Sequence, residues 1–121
     1  MNKAGKGTAC CIVCLLLVCL TGFLSAENPA DLYRIGKGAF EDGFYDLSRR
    51  NLKRLVTEYP DSEMADRAQY YIGLSFFRQD NYTATAFEMQ TLLQRYPDSA
   101  FRLAAGYYIA ASEQKRGNVL E

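Results

Sequence analysis

Two groups of charged side chains are the candidates for chemistry in this sequence. The adjacent carboxylates Glu41 and Asp42 could act as general acid and base on a glycosidic bond. The basic group at residues 49–50 and 53–54 could bind an anionic partner or a lipid headgroup. Solvated charges explain both groups better, and Asp46 and Glu58 lie within helical reach of the basic group and partly neutralise it. We therefore expect neither group to form a reaction centre.

The composition removes most other catalytic chemistry. The sequence has no His and no Trp, and its four Cys all lie at positions 10–19, so residues 27–121 contain no imidazole base, thiol nucleophile or usual zinc ligand set. Gly36 and Gly38 do not follow a strand, as a phosphate-binding loop requires. We predict a protein that is not an enzyme and needs no cofactor or metal.

The charge balance argues against a nucleic-acid partner. Of the 14 Lys and Arg, Lys3 and Lys6 precede residue 27, which leaves 12 cations against 14 Asp and Glu in residues 27–121. A nucleic-acid-binding domain carries a clear excess of positive charge. We predict a protein or peptide partner, with peripheral membrane association left open by the basic group.

The first 26 residues have the order of a secretory signal peptide. Lys3 and Lys6 precede an apolar run at residues 9–20, and small and polar residues at 21–26 end in Leu-Ser-Ala. The apolar run of 12 residues is shorter than the roughly 20 that span a membrane. We predict a signal peptide at residues 1–26 and one domain at residues 27–121. A retained anchor and a lipid-modified cysteine are alternatives, although Cys19 follows the bulky Val18 where lipoprotein signals have a small residue.

A repeat of 37 residues organises the rest of the chain. The tetrapeptide Tyr-Pro-Asp-Ser occurs at residues 59–62 and again at residues 96–99. Offsetting residues 45–78 by 37 gives 11 identities in 34 positions, where composition alone would give about two or three. One supersecondary unit is therefore used repeatedly.

Each unit is predicted to be a pair of helices. We expect first helices at residues 30–42, 64–79 and 100–116, and second helices at residues 46–59 and 83–96. Apolar residues recur in them at three- and four-residue spacing, as in helices that bury one face. No strand pattern competes, so the predicted fold class is all-α, a solenoid of helical hairpins.

The ends of the helices follow from the turn residues. Pro60 and Pro97 end the second helices because proline cannot donate the helical hydrogen bond. Ser62 and Ser99 then stand where we expect the N-cap of the next first helix. Four residues of the first helices are expected in the core: Tyr71, Ile72, Tyr108 and Ile109.

The spacing of these residues resembles the tetratricopeptide (TPR) repeat, over residues 30–121. The resemblance implies a right-handed solenoid of about 2.5 repeats. The sequence departs from the TPR pattern at Ser48, Thr85 and Ala110. The period and the turn are similar to an envelope subgroup: BamD-like outer-membrane assembly lipoproteins and YbgF/CpoB-like partners of the Tol–Pal system. The residues that carry the resemblance in the second copy are Ile72, Gly73, Phe76, Asp80, Tyr82, Met89, Leu92 and Pro97.

The resemblance also implies a binding face, because the first helix of each TPR hairpin lines the inner, concave surface. A row of aromatic rings flanked by cations suits an extended or helical peptide. The alternative is that the tyrosines only pack between neighbouring helices. The inward positions are Tyr33, Lys37, Phe40 and Glu41 in the first unit, Arg67, Tyr70, Leu74, Phe77 and Arg78 in the second, and Tyr107, Ala111, Gln114 and Lys115 in the third.

The function implied is that of an exported scaffold in envelope assembly or maintenance, in the periplasm or at the outer membrane of a Gram-negative bacterium. One alternative is a non-catalytic TPR module of a peptidoglycan-remodelling or Tol–Pal-associated system. Another is a truncated fragment of a longer repeat protein, without binding by the groove.

The third hairpin has only its first helix. Residues 117–118 repeat the turn within the hairpin, and residues 119–121 would open its second helix. Stacked repeats need a polar cap at their ends, and Glu113 and Gln114 stand where the second unit has Phe76 and Phe77. We expect this edge to be capped by those side chains, or covered by a partner, by self-association or by residues missing from this sequence.

Overall fold

A computed structural model describes residues 27–117, which form five helices and no strand. The predicted signal peptide at residues 1–26 and the predicted start of a sixth helix at residues 119–121 lie outside the described residues. Within residues 27–117, no helix combines the length and the apolar character needed to cross a membrane. The helices are α1 (Pro29–Glu41), α2 (Tyr45–Glu58), α3 (Ala65–Arg78), α4 (Tyr82–Arg95) and α5 (Arg102–Gly117).

The helices pack as consecutive hairpins. Each helix packs against the next one along the chain, and the first helices also meet, α1 against α3 and α3 against α5. The second helices α2 and α4 do not contact one another by the same measure. The first helices therefore form a continuous inner row, as in a TPR-like solenoid, and the predicted all-α fold class is confirmed.

The turn inside each hairpin uses a left-handed residue at the same repeat position. Gly43 has φ +81° and Asp80, 37 residues later, has φ +59°, a region that glycine and short polar residues tolerate best. The amide after each of them donates to a carbonyl of the first helix, Phe44 to Ala39 at 2.8 Å and Asn81 to Phe76 at 3.0 Å. The two hairpins are thus closed in the same way.

The Tyr-Pro-Asp-Ser turn connects one hairpin to the next, and its serine does not cap a helix. Helix α3 begins at Ala65 with Met64 at the N-cap, so the predicted capping role of Ser62 is wrong. Its hydroxyl instead accepts a hydrogen bond from the Met64 amide at 3.2 Å, and Ser99 does the same for the Phe101 amide at 3.1 Å. The serines stabilise the turn one residue pair before the helix starts.

The core consists of two clusters that follow the hairpins. The first joins α1, α2 and α3 around Leu32, Leu52 and Ile72, and the second joins α3, α4 and α5 around Met89 and Leu92. Ile72 is fully buried as predicted, whereas Tyr71, Tyr108 and Ile109 are half-buried against these clusters.

Glycines let the two helices of a hairpin approach closely. A Cβ placed on Gly36 would lie 2.6 Å from both Cγ and Cδ2 of Leu52, and one on Gly73 would lie 2.9 Å from Cε of Met89. Real Cβ contacts are longer, so the buried Leu52 and Met89 side chains occupy the space that these glycines leave.

Most of the basic group on α2 is used in contacts between helices. Arg49 donates to Ser75 Oγ at 3.0 Å and lies 4.2 Å over the Phe76 ring. The Lys53 ammonium lies 3.6 Å from a carboxylate oxygen of Glu88. The neighbouring Arg54 pairs with Glu27 and Glu58. These contacts join the first hairpin to the second.

Candidate partner-binding face

The row of first helices places most of the predicted contact residues on an accessible surface. Leu74 is the exception, since it is only 7% exposed and packs in the second core cluster; we leave it out of the surface. Half-buried residues are Tyr33, Lys37, Phe40, Tyr70, Phe77 and Ala111, and exposed residues are Glu41, Arg67, Arg78, Tyr107, Gln114 and Lys115. We call the set without Leu74 the first-helix face.

Aromatic rings at each junction between units form the same constellation. Tyr33 and Phe40 lie edge-on to Tyr71 of the next unit, with ring centroids 6.3 and 5.2 Å away. Thirty-seven residues later, Tyr70 and Phe77 lie 6.2 and 4.9 Å from Tyr108. The tyrosines therefore do pack between neighbouring units, as the structural alternative holds, and their half-burial leaves part of each ring accessible.

Further ring contacts connect the two junctions into one series. Tyr70 lies 5.6 Å from Tyr71, and Tyr107 lies 5.2 Å from Tyr108, both nearly perpendicular. Each such pair contributes about 0.5–1.5 kcal/mol beyond its buried area. Mutual packing thus fixes the rings of the first-helix face before any partner binds.

Residues that the family positions do not include complete this surface. The ring of Phe101 stacks on Tyr70 with centroids 4.7 Å apart, and Met64 lines a groove of about 590 Å³ together with Tyr33, Lys37 and Glu41. Met64 and Phe101 are repeat equivalents, two residues after each Tyr-Pro-Asp-Ser block. An apolar residue at that position in both copies was the available signal.

The tyrosines of the face stay neutral at ordinary pH. Burial raises the pKa of Tyr70 to about 12, the neighbours Tyr108 and Tyr71 raise it further, and the Arg78 cation opposes them. Burial also raises the pKa of Tyr33, with Tyr71 adding to the effect and Lys37 opposing it. The phenols can therefore donate hydrogen bonds to a partner over the physiological range.

Cations flank the rings, and several of them have no carboxylate. The Lys37 ammonium lies 3.1 Å from Glu41, and this hydrogen bond raises the pKa of Lys37. Arg67, Arg78 and Lys115 form no ion pair with any carboxylate of residues 27–117. The face thus presents uncompensated positive charge beside apolar ring surface.

A comparison with protein families agrees with this architecture. The model of the family described as YfiO, outer membrane lipoprotein, matches residues 25–117. No curated protein matches the chain. The matched span covers every described helix.

Proposed function

The chain belongs to the YfiO family of outer membrane lipoproteins, and from this premise we propose that it is an exported scaffold that holds a protein partner on its first-helix face. Family membership places the chain among TPR-type proteins of the cell envelope and suggests a role in envelope protein assembly. The resemblance to Tol–Pal partner proteins stays a prediction.

One observation carries the proposal: Arg67, Arg78 and Lys115 stand unpaired, among residues 27–117, beside a rigid series of half-buried rings. Cations needed only for solubility gain nothing from neighbouring aromatic surface. Aromatic and arginine side chains together are the residue types that dominate binding energy at protein interfaces.

The proposed mechanism is binding by a preformed surface. The rings supply apolar area and their packing removes the cost of ordering them on binding. The cations attract and orient a segment that carries carboxylates, which affects the association rate and the register of the partner more than the affinity. Tyrosine hydroxyls add hydrogen bonds because they keep their protons.

We further propose that the protein works in the periplasm at the outer membrane. The family description names lipoproteins, and all four cysteines of the sequence lie at positions 10–19. A lipid anchor on a cysteine would therefore have to be attached within that segment, and a cleaved signal peptide is the alternative route to the same compartment.

The test is photo-crosslinking in cells with the crosslinking residue at Arg67 or Arg78. Both side chains are exposed, so the replacements should not disturb packing. The matched controls are Arg50 on α2 and Phe87 on α4, which are exposed on second helices. We expect a discrete crosslinked protein from the first-helix positions alone; equal labelling from both sets of positions would refute the proposal.

A further inference from the structure

One stripe of α5 is uncovered although its residues are small or apolar. Leu103 is 82% exposed and Tyr107 is 66% exposed. Gly106, Ala110 and Gln114 continue the same stripe at three- and four-residue spacing and are also exposed. We call these five residues the α5 edge.

The internal repeat shows what covers this stripe in the preceding unit. Subtracting 37 from Ala110 and Gln114 gives Gly73 and Phe77 of α3. There, α4 covers the stripe: the Met89 side chain lies against Gly73, and the Tyr82 ring lies 5.5 Å from Phe77. The equivalent cover for the α5 edge is a helix that lies on α5 as α4 lies on α3.

The α5 edge differs from its equivalents at the point of closest approach. In the first two units the first helix has glycine there, and the side chains of Leu52 and Met89 fill the space that a Cβ would need, at 2.6 and 2.9 Å. Ala110 has that Cβ. A helix with Leu or Met at this position could not approach as closely, so the occupant needs a small residue opposite Ala110.

The edge also lacks the polar anchors of its equivalents. In α3, Asp66 accepts a hydrogen bond from Ser99 at 2.6 Å, and Gln69 donates to the Glu88 carbonyl and carboxylate at 3.0 and 2.8 Å. Leu103 and Gly106 replace these two polar residues in α5. The contact on α5 must therefore rest on apolar burial.

We propose that the α5 edge docks an amphipathic helix of a partner protein, with its apolar side on Leu103 and Tyr107 and a small residue opposite Ala110. This surface is separate from the proposed first-helix contact residues except at Tyr107 and Gln114. It can therefore be tested independently of them.

The probe is a pair of synthetic peptides with the sequence of residues 81–95, stapled on the solvent side so that they stay helical. One keeps Met89 and the other carries Met89→Ala. Each is titrated into the purified, ¹⁵N-labelled protein, and amide shifts are followed. We expect the alanine peptide to shift the α5 resonances with roughly fivefold to tenfold tighter binding. On the Ala110→Gly protein the preference should reverse.

Two substitutions locate the contact. Leu103→Asp should abolish the shifts, whereas Phe87→Asp, which changes an equally exposed apolar residue on α4, should leave them unchanged. The proposal is overturned if neither peptide shifts α5, or if both peptides keep the same preference on both protein variants. It is also overturned if the protein alone sediments as a dimer that Leu103→Asp dissociates, because the edge would then be occupied by a second copy.

Discussion

Replacing Gly36 by alanine should destabilise the protein, whereas the same replacement at Gly38 in the same helix should stabilise it. The Cβ of an alanine at position 36 would lie 2.6 Å from Leu52 Cγ and Cδ2 and 3.3 Å from the Ser48 carbonyl oxygen. At position 38 no atom lies within 4 Å of the added carbon. The two substitutions are chemically identical, so their difference isolates the close contact between α1 and α2.

The expected magnitudes follow from packing and helix propensity. Alanine gains about 0.5–1 kcal/mol over glycine inside a helix, and that is the whole effect at position 38. At position 36 overpacking costs about 1–3 kcal/mol. We expect the upper part of this range because Leu52 is fully buried and its branched Cγ cannot swing aside. The net loss at position 36 is then about 1–2 kcal/mol.

The measurement is urea unfolding followed by circular dichroism at 222 nm. The two variants should differ by about 2–3 kcal/mol in the free energy of unfolding, which for a domain of this size corresponds to at least about 8 °C in thermal midpoint. A Gly36→Ala protein as stable as the Gly38→Ala protein would refute the close packing of the hairpin.

Two further predictions concern single side chains. Ser75→Ala should cost about 1–2 kcal/mol because its hydroxyl bonds Arg49 and the Ile72 carbonyl, whereas Ser112→Ala should be neutral or slightly stabilising, since that buried hydroxyl has no hydrogen-bond partner; chemical unfolding of both variants checks the contrast, and equal losses would contradict it. Burial raises the pKa of Tyr70 to about 12, while unfolded tyrosine ionises near pH 10; the unfolded chain therefore loses its proton first, and stability should fall as the pH rises from about 10 to 12. Tyr70→Phe should lose less stability over that window, and thermal midpoints that fall equally in both proteins would contradict this.

The repeat and its helices could be predicted from the sequence because their signals are local. Proline ends a helix wherever it stands, and the helix bounds predicted from Pro60, Pro97 and the turn residues agree with the structure to within two residues. The cap was predicted wrongly because Ser62 bonds the Met64 amide within the turn. That choice depends on where the next hairpin places the start of its helix.

The candidate face could be predicted only in part, because its details depend on how neighbouring units meet. The repeat period places Tyr33, Tyr70 and Tyr107 at equivalent positions, but it does not give the angle between hairpins. That angle buries half of Tyr33 and Tyr70 against the next unit, leaves Tyr107 exposed and buries Leu74. It also brings Phe101 onto Tyr70.

The most direct test of partner binding on the first-helix face is the affinity of charge-reversed proteins for the partner captured by crosslinking at Arg67 or Arg78. Isothermal titration should show the Arg67→Glu, Arg78→Glu protein binding roughly tenfold more weakly or worse. The matched Arg50→Glu, Arg95→Glu protein, altered on the second helices, should bind within about twofold of the unmodified protein. Equal losses in both proteins, or no loss in the first, would contradict a partner held on the first-helix face.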